Sequence, residues 1–298
     1  MALPSLYKYL GVEGARLTLT NRTFKHAKPS DFNDTEDLTI QSVFPEALED
    51  ACKIMYDNFT DTVLKNSNTP PTCTNPDIRR KLSLIQSAFR ANPDVARIVK
   101  AAKANDLISD VYDFDRMKKS METFIKEINE FLQGYRVLCV SERSDSDTMW
   151  TSYADNHQGV ALRILPNPEK DSKFSLFRKV DYRKKRPALF DDALTYQENA
   201  LFGDHEKDNK RYIERVIYTK TLEWEHEKEY RLCIPTIGEK DWNVLSFHAE
   251  EIPTLYLGAN MNDAVKTEIV NLAKSINPEI FILQSVRGAG GQISFYKF

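Results

Sequence analysis

Cysteine is scarce. The four cysteines, Cys52, Cys73, Cys139 and Cys233, are widely separated in a chain of 298 residues. This spacing gives neither a disulfide framework nor a zinc ligand set, so a reducing, cytoplasmic setting is expected. Cys139 and Cys233 sit in apolar runs and read as buried thiols. Histidine is scarce too: no two of the five have metal-ligand spacing, and no metal is expected. Long hydrophobic runs are missing. No stretch approaches the roughly 18 apolar residues of a membrane span, and no membrane partner is expected. The opening residues lack a basic segment followed by an apolar one, so no signal peptide is expected. An excess of one charge is also missing. With 41 Lys and Arg against 44 Asp and Glu, the net charge of −3 excludes an overall electrostatic footprint for nucleic acid. Rossmann GxGxxG, P-loop and Gly-x-Ser-x-Gly signatures are absent. The one glycine-rich stretch, Gly288 to Gly291, precedes a strand, the wrong order for either nucleotide-binding fold.

What is present is a large apolar fraction, 41% with 11% aromatic. That suffices for one large core or two small ones. The densest run of chemically capable side chains is Ser141 to Gly159. It lies between two apolar runs, Tyr135–Val140 and Val160–Ile164, that read as buried strands. Between them a polar loop leads to a short helix, with Asp147 as its expected N-cap and Gly159 as its expected stop. On that helix Trp150 and Tyr153 share a face, and His157 lies one turn on. The plain alternative makes Trp150 and Tyr153 core and His157 a satisfied cap.

Earlier in the chain, Leu6–Leu10 reads as a short strand or turn, and the alternation of Arg16–Thr20 predicts another strand. The stretch from Phe24 to Asp37 has turn chemistry. Asn33 and Asp34 are placed to bond their own backbone there, which a purely structural turn would also explain. From 45 to 133 the periodicity becomes helical, with Phe124, Ile128 and Phe131 along one face. This predicts an all-helical insertion that caps a site, binds a partner or simply forms a packing layer.

Two later runs carry charge. Arg178 to Arg186 is strongly basic, either a solvated face or a local anion or nucleic-acid contact. Tyr230 to Ile234 reads as a strand stopped by Pro235. If that strand begins near His226, Glu227, Glu229 and Arg231 point to one face. Two carboxylates that close require compensation. Arg231 is then expected to hold one, Glu229, while Glu227 lies in a cleft beside Tyr153. A solvent-exposed edge strand is the alternative. Strands, then helices, then strands again predict an α+β fold with a mixed or antiparallel β core. Residues 1–44 and 134–298 form that core, and 45–133 the helical insertion.

These residues fall into a pattern. Leu6-Tyr7-Lys8-Tyr9 and Pro29-Ser30-Asp31-Phe32-Asn33-Asp34 resemble the opening of a large bacterial family built on a domain of unknown function. Further on, Ser141-Glu142 and then Met149, Trp150, Tyr153, Ala154, His157 and Gly159 match its MW-x-x-YA-x-x-H-x-G motif. Lys220, Trp224, Glu227, Glu229, Tyr230 and Arg231 match its late lysine and W-x-x-E-x-E-aromatic-R motif. Thr35 stands where proline is expected after the FND triplet, and the helical insertion matches no motif.

The layout of that family is similar to the ADP-ribosyltransferase fold. The resemblance implies an NAD-dependent ADP-ribosyltransferase, a toxin or phage-defence effector, with NAD as substrate and a protein or nucleic acid as acceptor. It places Lys8 and Tyr9 near the nucleotide ribose, with lysine where histidine or arginine is usual. Ser141, Trp150 and Tyr153 would line the nicotinamide pocket, and Asn33, His157 and Arg231 are counted with the cofactor-binding residues. Glu227 or Glu229 would be the catalytic glutamate, alongside Tyr153. Two other classes of function stay open. One is a non-catalytic sensor or partner-binding module acting through the helical insertion. The other is a nucleic-acid-acting enzyme using Arg178 to Arg186.

Overall fold

The computed structural model describes residues 3–92, 94–104, 114–236 and 243–298. In chain order it opens with β1 (Leu6–Leu10), α1 (Val12–Asn21) and β2 (Thr23–Lys25). The helices α2 (Leu48–Lys65), α3 (Pro76–Ala91), α4 (Asp94–Ala104) and α5 (Phe114–Leu132) follow. Next come β3 (Tyr135–Ser141), α6 (Asp147–Tyr153), β4 (Val160–Ile164), β5 (Arg178–Lys179) and β6 (Asp181–Arg183). Two helices, α7 (Ala193–Phe202) and α8 (His205–Ile217), precede β7 (Thr219–Thr221), β8 (Glu229–Pro235), β9 (Val244–Ser246) and β10 (Thr254–Leu257). The chain closes with α9 (Asp263–Ile276), β11 (Phe281–Arg287) and β12 (Ile293–Lys297).

These elements form two units. The first comprises Met1–Asp37, Gln133–Arg186 and Tyr218–Phe298; the second comprises Leu38–Leu132 and Pro187–Ile217. The helical unit therefore takes in 187–217, which sequence order alone places with the β-rich part. The reason is a buried polar tie. Gln197 on α7 donates to the Met55 carbonyl at 2.7 Å and accepts from Thr62 Oγ1 at 2.9 Å, both on α2. A buried amide has to be paired, and this pairing holds the returning helix. Phe59, Val63, Leu82, Phe89 and Phe202 form an apolar core in this unit.

The first unit is built on an eight-stranded sheet in the order β12-β11-β10-β4-β1-β3-β8-β5. The sheet is mixed: β10 and β11 pair in parallel, and the other neighbours are antiparallel. The parallel pair follows from its connection, since α9 supplies the crossover such a pair needs. Strand alternation sorts the side chains. Leu6, Leu138, Val140, Leu162, Ile164, Leu232 and Leu255 pack in one core with Ala15 and Leu19 of α1 and Ile269 and Ala273 of α9. Tyr9, Ala161 and Tyr256 instead join Met149, Trp150 and Ala154 in a separate cluster.

The strand expected at Arg16–Thr20 is not formed; those residues lie in α1. Leu17 and Leu19 alternate with polar residues, but the buried positions are Ala15, Thr18 and Leu19, a helical spacing. Packing beside α9 overrides a local pattern that alone favours a strand. Arg22, in the left-handed region at φ 53°, ends the helix, and its N–H donates to the Thr18 carbonyl.

Candidate active site

Two neighbouring strands start the site. In the β3–β8 register, Cys139 lies opposite Arg231 and Ser141 opposite Glu229. Period-two alternation therefore sets Glu229 and Arg231 on the same face. Arg231 is fully buried. Its Nε reaches Glu229 Oε1 at 2.7 Å and its Nη2 reaches Oε2 at 2.9 Å, a bidentate pair. The same guanidinium donates through Nη1 to Asp37 Oδ1 at 3.0 Å and through Nη2 to Asp37 Oδ2.

Glu227 arrives by another route. The expected extended run from His226 does not exist. Leu222–Glu227 is a 3-10 helix, Lys228 is left-handed at φ 46°, and the strand begins only at Glu229. Glu227 and Glu229 thus do not share a strand face by alternation; the left-handed turn separates them. They are brought near each other by Lys220 on β7, whose Nζ lies 2.6 Å from Glu227 Oε2 and 3.5 Å from Glu229 Oε2. The other Glu227 oxygen accepts the Tyr153 hydroxyl at 2.5 Å. Ser141 supports this turn by donating from Oγ to the Glu227 carbonyl at 2.7 Å, and the Glu142 N–H donates to the Lys228 carbonyl at 3.0 Å.

The result is a row of alternating charge. Arg186 binds Asp34 at 2.6 Å and approaches Asp37 at 4.0 Å. Asp37 meets Arg231, Arg231 meets Glu229, Glu229 meets Lys220, and Lys220 meets Glu227. Burial alone would raise the Glu229 carboxyl, but the Arg231 charge and hydrogen bonds, with Lys220, hold it at about 2. Burial would likewise lower Lys220, yet Glu229, Glu227 and Asp37 keep it above its ordinary value. Burial, and then the neighbouring Glu227 charge, push the Tyr153 phenol well up, so it stays a proton donor.

A cavity of about 400 Å³ opens onto this row. Its wall includes Lys8, Tyr9, Asn33, Ser141, Tyr153, Glu227 and Glu229, which are therefore brought together as expected site residues. Tyr7, Phe32 and Lys220 add two aromatic rings and a cation. A cavity of this size with a few convergent polar groups is the usual form of a small-molecule site.

Three expected site residues are not in that wall. Trp150 is fully buried, its Nε1 donating to the Ser144 carbonyl at 2.8 Å and its ring edge-on to Tyr9 at 5.3 Å. It shapes the loop beside the site. His157 is also buried; its Nε2 lies 3.1 Å from Asp147 and its ring stacks on Trp150 at 6.2 Å. Burial lowers its pKa, against the Asp147 charge. It does not continue the helix, because α6 ends at Tyr153 and Asp155, Asn156 and His157 all take positive φ. Arg231 stands behind the wall as the counter-ion of Glu229 and Asp37. The helix cap differs as well. Ser146, not Asp147, is the N-cap, accepting from the Met149 N–H at 3.4 Å, and Asp147 pairs with Arg287 at 2.6 Å. Gly159 is not the helix stop. A Cβ there would lie 2.1 Å from the Leu10 carbonyl oxygen, so glycine is required by close approach to β1.

Asp37, Arg186 and Lys220 belong to the charge row; Arg186 lies in the basic run that the sequence shows, but nothing there points to Asp34 and Asp37 as its partners. Lys220 is signalled by the resemblance alone, as the lysine before Trp224 and Glu227. Its Nζ sits 4.5 Å from the Trp224 ring centre. The basic run is largely consumed within the chain. Lys179 pairs with Glu142 at 3.1 Å, Arg183 with Asp181 at 2.7 Å and Arg186 with Asp34, while Arg178 lies 4.2 Å from the Tyr218 ring centre. Lys184 and Lys185 are exposed. Among the described residues, no group of three or more His, Cys, Asp or Glu is arranged to hold a metal, and no helix is long and apolar enough to cross a membrane.

Part of this site coincides with a known sequence family. Residues 149–232 match the model of DUF2971, a protein family of unknown function. The match runs from α6 to β8 and so spans Tyr153, Lys220, Glu227, Glu229 and Arg231. No curated protein and no solved structure matches the chain.

Proposed function

We propose that the cavity binds NAD and that the protein is an ADP-ribosyltransferase, an effector of the toxin or phage-defence kind acting on a protein or nucleic acid. One observation supports this reading above others. Glu227 lines the cavity with one carboxylate oxygen held by Tyr153 and the other by Lys220, while Glu229 is enclosed by Arg231. A carboxylate fixed at a cavity wall suits the stabilisation of positive charge developing at an anomeric carbon as nicotinamide leaves. Tyr7, Tyr9 and Phe32 in the same wall supply rings against which a planar base can pack. Glu227 is the chemical group in this scheme, and Glu229 orders the site through Arg231. The test is NAD consumption and label transfer by the purified chain. Glu227→Gln should lower turnover by about a hundredfold or more. No NAD binding at millimolar concentration, or unchanged turnover in Glu227→Gln, would sink the reading.

A partner-binding role has its own observation in the helical unit. Leu84 on α3 and Ile98 on α4 are 63% and 62% exposed, large apolar side chains that a partner would cover. Loss of a co-purifying protein from Leu84→Glu and Ile98→Glu variants, with turnover unchanged, would favour that role.

A further inference from the structure

Two lysines in the cavity wall stand apart from the charge row, the exposed Lys25 and the half-buried Lys8. Lys220, Arg231 and Arg186 each have a carboxylate within 4.0 Å. Lys8, on the central strand β1, has none among the described residues. Its Nζ makes one hydrogen bond, to the Cys139 carbonyl at 3.0 Å, a neutral partner. The residue keeps partial exposure and lines the cavity, so a small molecule in the cavity can reach it.

We propose that Lys8 is a carbonyl-reactive amine, at which the cavity captures a small aldehyde or ketone as a Schiff base. The geometry provides what this reaction needs. Burial disfavours the ammonium form and lowers the Lys8 pKa, against the opposing effects of Cys139 and Glu229. A neutral amine still donates one N–H to the Cys139 carbonyl, which fixes the nitrogen and leaves its lone pair for the cavity. The lone pair attacks the carbonyl carbon, forming a C–N bond, and the π pair moves to oxygen, which takes a proton. The resulting carbinolamine takes a second proton on oxygen and loses water, while the nitrogen gives up its two protons. The products are an imine and one water, with no oxidant or reductant required. Tyr153 and Glu227, a phenol and a carboxylate 2.5 Å apart in the same wall, are a donor and an acceptor for these protons.

This site does not depend on the NAD reading, and the experiment omits NAD so that the two fail separately. The full chain is incubated at pH 7 with pyridine-4-carboxaldehyde, an uncharged ring aldehyde, and cyanoborohydride to reduce any imine. Modified lysines are then timed by peptide mass spectrometry. Lys8 should be modified at least tenfold faster than the exposed Lys184 and Lys185 measured in the same digest. Lys8→Met should abolish the fast phase and leave the slow modification of Lys184 and Lys185 in place. Modification of Lys8 no faster than of those two lysines, or a fast phase that persists in Lys8→Met, overturns the proposal.

Discussion

Tyr153 and Glu227 are 74 residues apart in the chain, and the phenol donates to the carboxylate at 2.5 Å. Tyr153 ends α6 and Glu227 ends a 3-10 helix, so each side chain is presented from a helix terminus rather than from the sheet. Removing the hydroxyl in Tyr153→Phe leaves Glu227 with Lys220 alone. A hydrogen bond to a charged acceptor contributes about 1.5–3 kcal/mol. Tyr153→Phe should therefore lose up to about that much stability in urea unfolding and bind NAD more weakly by calorimetry. Unchanged values for both would show that this contact has no part in either.

Arg231 is the group whose loss should cost most. It is fully buried and holds both Asp37 and Glu229. Arg231→Met fills similar space but leaves two buried carboxylates without their main counter-ion. Breaking a buried pair from one side costs about 3–5 kcal/mol. Denaturant unfolding should show a loss of that order. A combined Arg231→Met, Asp37→Asn, Glu229→Gln chain should recover most of it, because no uncompensated charge then remains.

Glu229 predicts an acid limit to stability. Its folded value is depressed to about 2 from an ordinary 4.5, so the ionised form is favoured by folding. The contribution is complete above about 4.5 and disappears as the pH falls toward 2. The wild-type melting temperature should fall through that window. Glu229→Gln should start lower and show a shallower fall, since its amide does not titrate. Parallel curves for the two chains would count against the assignment.

Trp150 and Gly159 should affect stability more than ligand affinity. Trp150 is packed behind the cavity, with its indole N–H on Ser144. Trp150→Phe loses that bond and some packing, about 1–3 kcal/mol, with NAD affinity within about threefold. Gly159→Ala sets a methyl against the Leu10 carbonyl, and overpacking of this kind costs about 1–3 kcal/mol. A calorimetric titration of each variant beside its melting curve separates the two effects.

The sequence by itself determined the secondary elements with strong local signals, such as the strands at Tyr135–Val140 and Val160–Ile164 and the helices of 48–132. Apolar periodicity is enough to specify these, because it records which side of a strand or helix meets a core. It also pointed to Arg231 as the counter-ion of Glu229, two residues away on one strand face, with a solvent-exposed edge strand as the alternative; the pair is buried. Tertiary structure decided the rest. The left-handed Lys228 separates the two glutamates, and a residue's φ is not written in a pattern of charges. Arg16–Thr20 became helical because α9 lies against it, a contact made with residues nearly 250 positions later. Asp37 and Arg186 joined the site from distant loops, and Trp150 and His157 left it for the layer behind. Local sequence records propensity and burial, but which charges neutralise one another across the fold is settled only when the strands have paired.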